Sequence, residues 1–193
     1  QGRRNPILQE AFYHIWLAGA SKSPEKAHLD VTHFKKITPE EIKRIEELVE
    51  EHVQRKIPVK KFIVSRTDAE QKYGFRIYQG GFVPGKELRL VQIEGVDIQA
   101  CGGTHINNTE EIGFFKVMKG ESIQDGIERI TYTTGQPALK FVQEKEEKLQ
   151  RIVNILNTTE QDLEKTAENL VNDYKESRKK IEQLEEYYLA GIA

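Results

Sequence analysis

The chain has 193 residues, of which 37% are hydrophobic and 31% are charged. This length fits one globular domain of ordinary size with some accessory structure, and no stretch approaches the roughly 18 consecutive apolar residues of a membrane-spanning helix. The 29 basic and 31 acidic side chains give a formal net charge of -2. This balance excludes the strong global positive field of many nucleic-acid-binding proteins, so any RNA contact must be local.

The cysteine content and the first residues of the chain bear on where the protein is located and on whether it is part of a longer protein. Cys101 is the only cysteine, so an intrachain disulfide is impossible and the residue is available as a thiolate or metal ligand. No charged stretch followed by an apolar segment indicates a signal peptide. We therefore expect a cytoplasmic protein. Because the chain begins at Gln1 and its only methionine is Met118, we also expect it to be part of a longer protein.

Helix and strand signals alternate over the first 60 residues. A short helix is predicted over residues 6–17, and the alternation of apolar and polar side chains predicts a strand over residues 27–34. Thr38 followed by Pro39 and Glu41 is a strong helix start. Apolar residues then recur on one helical face, which predicts a helix up to about Lys56.

The next segment is rich in β-forming residues separated by glycine and proline pairs. A short helix is predicted over residues 67–73, where Gly74 closes it. The predicted strands are 59–64, 75–79, 88–94, 96–100, 112–118 and 128–132. Together these elements predict an α+β fold with a mostly antiparallel sheet and helices on one side.

The pattern changes near Gly135 to that of charged helices. Leucines recur in steps of seven or multiples of seven, at Leu149, Leu156, Leu163, Leu170 and Leu184. This heptad pattern predicts a helical hairpin or coiled-coil stalk, interrupted at residues 157–159, where Thr159 can cap a second helix. The predicted domains are residues 1–135, truncated at the N-terminus, and 136–193. Two interpretations of the pattern remain: the helices form a hairpin packed on their own domain, or they self-associate through the heptad seam.

Five consecutive residues give the strongest chemical signal: Cys101, Gly102, Gly103, Thr104 and His105. A thiolate and an imidazole four positions apart suit half of a tetrahedral zinc site. The two glycines permit backbone conformations closed to other residues and let a ligand approach the main chain. The alternative is a buried cysteine beside a turn that the histidine caps, since two donors are fewer than zinc needs.

The other histidines are weak candidates for further ligands of a zinc ion bound by Cys101 and His105. His28 and His33 lie five residues apart on a predicted strand and point to opposite faces, so at most one of them could join a metal site. His14 and His52 lie on predicted helices, where a lone histidine is usually a packed or surface residue. The sequence contains no nucleophile elbow, phosphate-binding loop or dinucleotide fingerprint.

The segment VDIQACGGTH at residues 96–105, followed by residues 109–113, resembles the editing domain of alanyl-tRNA synthetase. Further matching segments, similar to the archaeal form, lie at residues 23–34, 78–81, 120–130 and 134–135. The helices after Gly135 resemble the stalk that joins this domain to a C-terminal domain and supports dimerisation in the family. The editing domain of threonyl-tRNA synthetase is the second candidate, but the Gly102-Gly103-Thr104 spacer and the stalk favour the alanine enzyme.

The resemblance implies an aminoacyl-tRNA deacylase within a ligase that uses ATP. It would hydrolyse the ester that links wrongly attached serine or glycine to alanine tRNA, because a synthetic site rejects such small differences poorly. In the family, a His-x-x-x-His element joins a Cys-x-x-x-His element to hold zinc, and Cys101 and His105 match the second element. Gly102, Gly103 and Thr104 would then lie beside the substrate. The implied partners are the acceptor end of alanine tRNA and a second copy of the chain.

Several charged residues near this motif receive roles by resemblance or by spacing. Arg129 matches an arginine near the tRNA end in the family, and a salt bridge on the strand surface is its alternative. Lys116, Lys119 and Arg129 together could form a local basic face. Asp97, four residues before Cys101, is expected either to orient a metal ligand or to be a turn residue before the strand.

The sequence departs from the family at two positions. The second histidine of the expected pair would fall at Gln1, and Leu17 stands where the family usually has glutamine in the editing pocket. The upstream pair was removed from this chain, lies on a partner chain, or has been lost. The alternative function is therefore a degenerate editing domain that serves as a tRNA-binding or dimerisation module.

Overall fold

The computed structural model of the chain describes residues 17–78 and 83–191. The chain forms two compact units, Gln1–Phe141 and Val142–Ala193. Within the described ranges, the first unit contains seven strands and the second is helical. The strands are β1 (Leu17–Lys22), β2 (Ala27–Thr32), β3 (Val59–Ser65), β4 (Glu87–Ile93), β5 (Asp97–Ala100), β6 (Phe115–Gln124) and β7 (Ile127–Thr134). The helices are α1 (Pro39–Gln54), α2 (Arg66–Tyr73), α3 (Gly135–Ile155) and α4 (Leu163–Ala190). The predicted α+β class is confirmed.

The strands form two antiparallel sheets. The first has the order β1-β2-β7-β6 and the second has the order β3-β4-β5. The predicted single sheet is therefore divided, because β3 pairs with β4 over its whole length while β2 pairs with the distant β7. The first sheet packs its apolar face against α1, around Val31, Ile45 and Ile130. The second sheet packs Leu88, Leu90 and Ile98 against α2.

The start of α1 follows the sequence signal. The Thr38 hydroxyl oxygen accepts a hydrogen bond from the Glu41 backbone N–H at 3.2 Å, and the Glu41 carboxylate accepts one from the Thr38 backbone N–H at 2.8 Å. Two otherwise unpaired backbone donors are thereby satisfied. The predicted capping box is confirmed.

Two predicted elements differ from the structure. Residues 75–79 were expected to be a strand, but Phe75–Ile77 forms a 3-10 turn. Gly74 ends α2 with a φ of 70°, and the Tyr78 backbone N–H then donates to the Phe75 carbonyl at 3.2 Å, so the chain turns instead of extending. The predicted helix at 6–17 lies outside the described residues except for Leu17, which begins β1.

A buried hydroxyl attaches the segment after the glycine loop to α1 and to the connection between α1 and β3. Thr109 is 3% exposed, and its Oγ1 donates to the His52 carbonyl at 2.6 Å and accepts from the Ile57 backbone N–H at 2.8 Å. The segment that follows the candidate site is therefore fixed to the domain core.

Replacing Thr109 with valine should lower the free energy of unfolding by about 2 kcal/mol, because it leaves two buried backbone groups without partners. Thr109→Ser keeps the hydroxyl, so its free energy of unfolding should fall by clearly less than that of Thr109→Val. Urea unfolding of the two variants measures the difference. Equal losses would show that the hydroxyl does not stabilise this junction.

The second unit breaks between its helices where the sequence predicts it. Asn157, which follows α3, has a left-handed φ of 46°. The Thr159 hydroxyl accepts from the Asp162 backbone N–H at 3.3 Å and donates to the Asp162 carboxylate at 2.9 Å. The predicted cap at Thr159 is nevertheless wrong, because these bonds close a turn before the helix and the N-cap of α4 is Asp162. The following helix, α4, buries none of its residues. No helix within residues 17–78 and 83–191 is both long and apolar enough to cross a lipid bilayer.

Candidate functional site

The Cys101–His105 loop leaves the end of β5 and is held by an arginine of the neighbouring strand. The Arg89 guanidinium Nη1 donates to the Cys101 carbonyl at 2.5 Å and to the Gly103 carbonyl at 3.0 Å. In return, the Cys101 backbone N–H donates to the Arg89 carbonyl at 3.1 Å. One side chain therefore holds two carbonyl groups of the loop, two residues apart. The sequence analysis did not identify Arg89, although it stands out as a cation within an otherwise mainly apolar strand.

The two predicted metal ligands converge on Gly103. The Cys101 Sγ and the His105 Cε1 each lie 3.7 Å from the position that a Cβ on Gly103 would occupy. The thiol and the imidazole therefore border the same small space. Gly102, Gly103 and Thr104 are exposed, whereas both ligand candidates are half-buried. The main chain between the two donors is thus accessible to a bound molecule.

His105 has one buried ring nitrogen without a hydrogen-bond partner and a lowered pKa. Its Nδ1 is buried and has no hydrogen-bond partner in the described part of the chain. Burial holds the pKa of His105 below its usual range, with further lowering by the positive charges of Arg89, Lys22 and Lys61, while the Gly103 backbone acts in the opposite direction. The neutral imidazole, which is the form that binds metals, is therefore favoured.

The donors that the structure describes fit half of a zinc shell. One thiol and one imidazole are suitable zinc ligands, and the unpaired buried Nδ1 supports such a role. Across residues 17–78 and 83–191, no group of three or more His, Cys, Asp or Glu side chains could hold a metal ion. Any further protein ligands must therefore lie elsewhere. Gln1, where the family's second histidine would fall, and His14 are outside the described residues.

Two of the remaining histidines have structural partners instead. The His33 Nδ1 lies 2.5 Å from the Lys35 carbonyl, and the His52 Nδ1 lies 2.6 Å from the Leu48 carbonyl. Both side chains are buried within the first unit. These contacts give His33 and His52 local packing roles.

A cavity of about 460 Å³ has His105 in its wall. Leu29, Ile130 and Tyr132 of the first sheet and Val59 and Val91 of the second contribute apolar surface to it. Lys22 is the only charged side chain among the described residues that line this cavity. Such a mostly apolar cavity with a few polar groups at one side is typical of small-molecule sites.

Arg129 is engaged in an ion pair within the first sheet. Its Nε and Nη2 donate to the two carboxylate oxygens of Asp30 at 2.7 and 2.9 Å, and the hydrogen bond from Arg129 is the main reason that the pKa of Asp30 is lowered. This is the salt-bridge geometry considered as the alternative for Arg129. A role at the tRNA end stays a prediction.

The other two members of the predicted basic face are also paired. Lys116 Nζ lies 2.8 Å from a carboxylate oxygen of Glu46, and Lys119 Nζ lies 2.5 Å from one of Glu121. Each cation is therefore neutralised locally. This pairing weakens the case for a basic patch formed by these lysines.

Asp97 lies at the opposite end of β5 from Cys101. Its Oδ2 accepts a hydrogen bond from the Gln99 side-chain amide at 2.6 Å. Burial raises the pKa of the Asp97 carboxyl to about 6, although the Ile98 backbone N–H, Arg76 and Gln99 all act to lower it. The structure thus places Asp97 away from the glycine loop, and its predicted role in orienting a metal ligand stays a prediction.

The raised pKa predicts a pH-dependent stability. A carboxyl whose pKa is higher in the folded than in the unfolded protein destabilises the fold once pH exceeds the unfolded value near 4 and increasingly up to about 6. Asp97→Asn should therefore raise the free energy of unfolding at pH 7.5 by about 1 to 2 kcal/mol and change it little at pH 4. Chemical unfolding at both pH values measures this, and an equal change at both would contradict it.

Comparison with known proteins gives relatives for most of the chain. Residues 88–131 match the family described as the threonyl and alanyl tRNA synthetase second additional domain. The chain is 46% identical over 172 residues to the alanine–tRNA ligase of Methanopyrus kandleri and 48% identical over 171 residues to that of Methanococcus aeolicus. Each match covers 89% of this chain but only 19% of the relative. The chain thus spans about a fifth of the length of these ligases.

Proposed function

We propose that this chain, which is similar to a segment of archaeal alanine–tRNA ligases that includes the second additional domain, is an editing deacylase. It hydrolyses the ester between serine or glycine and alanine tRNA in the cytoplasm, at the Cys101–His105 loop. The observation that carries this proposal is the convergence of the Cys101 thiol and the His105 imidazole, whose buried Nδ1 has no partner in the described residues, beside exposed glycines.

The proposed cofactor is zinc, held in part by Cys101 and His105. When bound, zinc supplies a Lewis acid that polarises the ester carbonyl or a water molecule. Arg89 fixes the loop through the Cys101 and Gly103 carbonyls, so the two ligands keep their positions as substrate arrives. The exposed main chain of Gly102 and Gly103 leaves room for the aminoacylated end of the tRNA.

The cavity beside His105 is the proposed binding site for the terminal aminoacyl-adenosine. Its volume of about 460 Å³ lies within the usual range for small-molecule sites. Apolar side chains of both sheets line it and would pack against the adenine ring and exclude bulk water. Lys22 provides one positive charge for the approaching phosphate backbone.

The direct test is hydrolysis of mischarged tRNA. Seryl-, glycyl- and alanyl-tRNA(Ala) are incubated with the chain as it is, and with a chain extended upstream by the His-x-x-x-His element that the resemblance implies. The extended chain should release serine and glycine far faster than alanine, and a strong chelator should suppress this release. Equal rates for all three substrates, or no hydrolysis by the extended chain, would refute the proposal.

A second function, self-association through α4, is favoured by a separate observation. The helix leaves large apolar side chains exposed, including Leu170, Tyr174, Ile181, Leu184 and Tyr188. These residues occupy the a and d positions of a heptad pattern, which is the seam of a coiled coil. A helix with such a stripe normally buries it against another element. A second copy of α4 supplies a matching stripe.

Flanking charges favour a parallel arrangement of the two α4 helices. In a parallel pair, each g position faces the e position five residues later on the partner. Asp173 would then face Arg178, and Lys180 would face Glu185, so all these contacts join opposite charges. An antiparallel pair with full overlap would join the opposite charges of Asp173 and Lys180 but would also place Glu164 opposite Glu185, which is repulsive.

Sedimentation of the full chain tests this pairing. Leu170→Lys places a charge in the seam and should convert a dimer into a monomer. Asn172→Lys adds the same side chain on the outer face of the helix and should leave the dimer unchanged. A monomeric wild-type chain at high micromolar concentration, or equal behaviour of both variants, would rule out self-association through α4.

A further inference from the structure

A second cavity, of about 320 Å³, lies at the β4–β5 hairpin. The described residues that line it include Tyr73, Arg76, Gln92, Val96, Asp97 and Ile98. His105 and the rest of the glycine loop are not among these lining residues. Ile93 lines both this cavity and the one beside His105, so the two cavities are neighbours.

The cavity holds an arginine and an aspartate that are not paired with each other. The charge of Arg76 acts on the Asp97 carboxyl, yet no ion pair or hydrogen bond joins the two within residues 17–78 and 83–191. One carboxylate oxygen, Oδ2, accepts from Gln99. The Ile98 backbone N–H also hydrogen-bonds this carboxyl. Because a carboxylate has about four acceptor positions, Asp97 can still accept from a bound molecule, and the Arg76 guanidinium can donate to it. An incompletely partnered, half-buried charge is costly unless a ligand or water completes its hydrogen bonds.

The side chains that line the cavity indicate which chemical groups a bound molecule would need. Val96 and Ile98 are apolar and Tyr73 offers an aromatic side chain, a combination suited to a flat ring. Asp97 can accept a hydrogen bond from one amino group, while Arg76 and the Gln92 amide can donate to adjacent acceptors. Cytosine has this pattern on its Watson–Crick edge, with one amino donor beside a ring nitrogen and a carbonyl. Uracil presents a carbonyl where cytosine presents the amino group.

We propose that this cavity binds an unpaired cytosine of an RNA strand, whose amino group donates to Asp97 and whose acceptors are bound by Arg76. Unpaired RNA bases are commonly recognised in this way, by stacking and by hydrogen bonds to the Watson–Crick edge. The RNA context rests on the proposed editing function. Asp97 and Cys101 are four residues apart on an extended segment, about 13 Å, so one strand can reach both cavities.

The first test uses cytidine and uridine monophosphates with the full chain at pH 7.5. Amide signals are followed by nuclear magnetic resonance during the titrations. Cytidine monophosphate should shift the signals of the β4–β5 hairpin, Gly95 among them, and bind about tenfold more tightly than uridine monophosphate. Equal affinity for the two nucleotides, or shifts confined to residues 101–105, would overturn the proposal.

Two matched variants test whether Asp97 is the side chain that distinguishes cytosine from uracil. Asp97→Asn keeps the shape of the side chain but replaces the acceptor oxygen with a donor at one position, so the tenfold preference should disappear. Glu94→Gln removes an exposed carboxylate of the same hairpin, which pairs with Lys60 at 3.0 Å, and should keep the preference. A preference that survives in Asp97→Asn would overturn the assignment.

A third variant separates this proposal from the proposed deacylase. Cys101→Ser should leave cytidine monophosphate binding unchanged, because Cys101 is not among the residues that line this cavity. If hydrolysis is absent but cytosine selectivity is present, the editing function fails and the base site stands. If hydrolysis is present without cytosine selectivity, the base site fails alone.

Discussion

Replacing Cys101 with serine is expected to abolish zinc binding and to slow hydrolysis of seryl-tRNA(Ala) by at least about 100-fold. The thiolate is a far better zinc ligand than a hydroxyl, which stays protonated near neutral pH. Changes to groups that merely orient a ligand already cost roughly 10- to 100-fold, so loss of a ligand must cost at least as much. Stability without metal should change little, because the thiol is only half-buried.

Histidine variants supply the matched control for this prediction. His105→Ala should also lose zinc and activity, since its imidazole shares the space beside Gly103 with the thiol. His28→Ala removes an imidazole from β2, outside the glycine loop, and should retain both. Zinc content by elemental analysis and deacylation rates are measured on the same samples. Full activity in Cys101→Ser, or equal losses in both histidine variants, would contradict the assignment of ligands.

Replacing Arg89 with methionine is expected to weaken zinc binding by about 10- to 100-fold and to lower the deacylation rate correspondingly. The guanidinium makes two hydrogen bonds that hold the Cys101 and Gly103 carbonyls. Methionine retains an unbranched apolar stem but cannot donate, so the loop loses the contact that keeps its two ligand candidates together. Arg89 acts through the loop and is a positioning residue.

Arg89→Lys distinguishes the effect of the positive charge from the effect of the two hydrogen bonds that the guanidinium makes. Lysine keeps the positive charge but lacks the planar fork that reaches two carbonyls at once, so it should restore only a small part of the zinc affinity. Competition with a chelator of known affinity measures binding, and thermal unfolding of the metal-free protein reports any general loss of structure. Wild-type zinc affinity in Arg89→Met would show that the arginine does not organise the site.

Local signals in the sequence predicted the elements that depend on neighbouring residues. The capping box of α1 needs only Thr38 and Glu41, three positions apart, and the structure contains both of its hydrogen bonds. The short helix α2 likewise ends at Gly74, whose positive φ favours glycine. Such features are determined within one turn of the chain and are therefore visible in its sequence.

The division into two sheets depends on contacts between distant residues and was not predicted. The partner of Arg129 is Asp30, 99 positions earlier, and only the pairing of β2 with β7 brings the two together. The predicted strand at 75–79 failed for a related reason. Its residues have strand propensity, but the Tyr78 hydroxyl is engaged by Arg66 and Glu70 of α2, which favours a turn there.

The candidate ligands could be predicted from the sequence, but the arginine that holds their loop in place could not. Cys101 and His105 stand out because zinc ligands are few in kind and the glycines between them are conspicuous. Arg89 is twelve positions before Cys101, and only the β4–β5 pairing shows that it faces the loop. A cation within a mainly apolar strand is conspicuous in the sequence, but nothing local indicates which carbonyl groups it contacts.

We propose that the Cys101 thiolate and the His105 imidazole bind the same zinc ion. X-ray absorption at the zinc edge, on a chain extended by the His-x-x-x-His element that the resemblance implies, examines the ligands directly. We predict a single sulfur ligand at about 2.3 Å with nitrogen or oxygen ligands at about 2.0–2.1 Å, and loss of the sulfur signal in Cys101→Ser. A bound zinc ion without any sulfur ligand in the unsubstituted protein would contradict the claim.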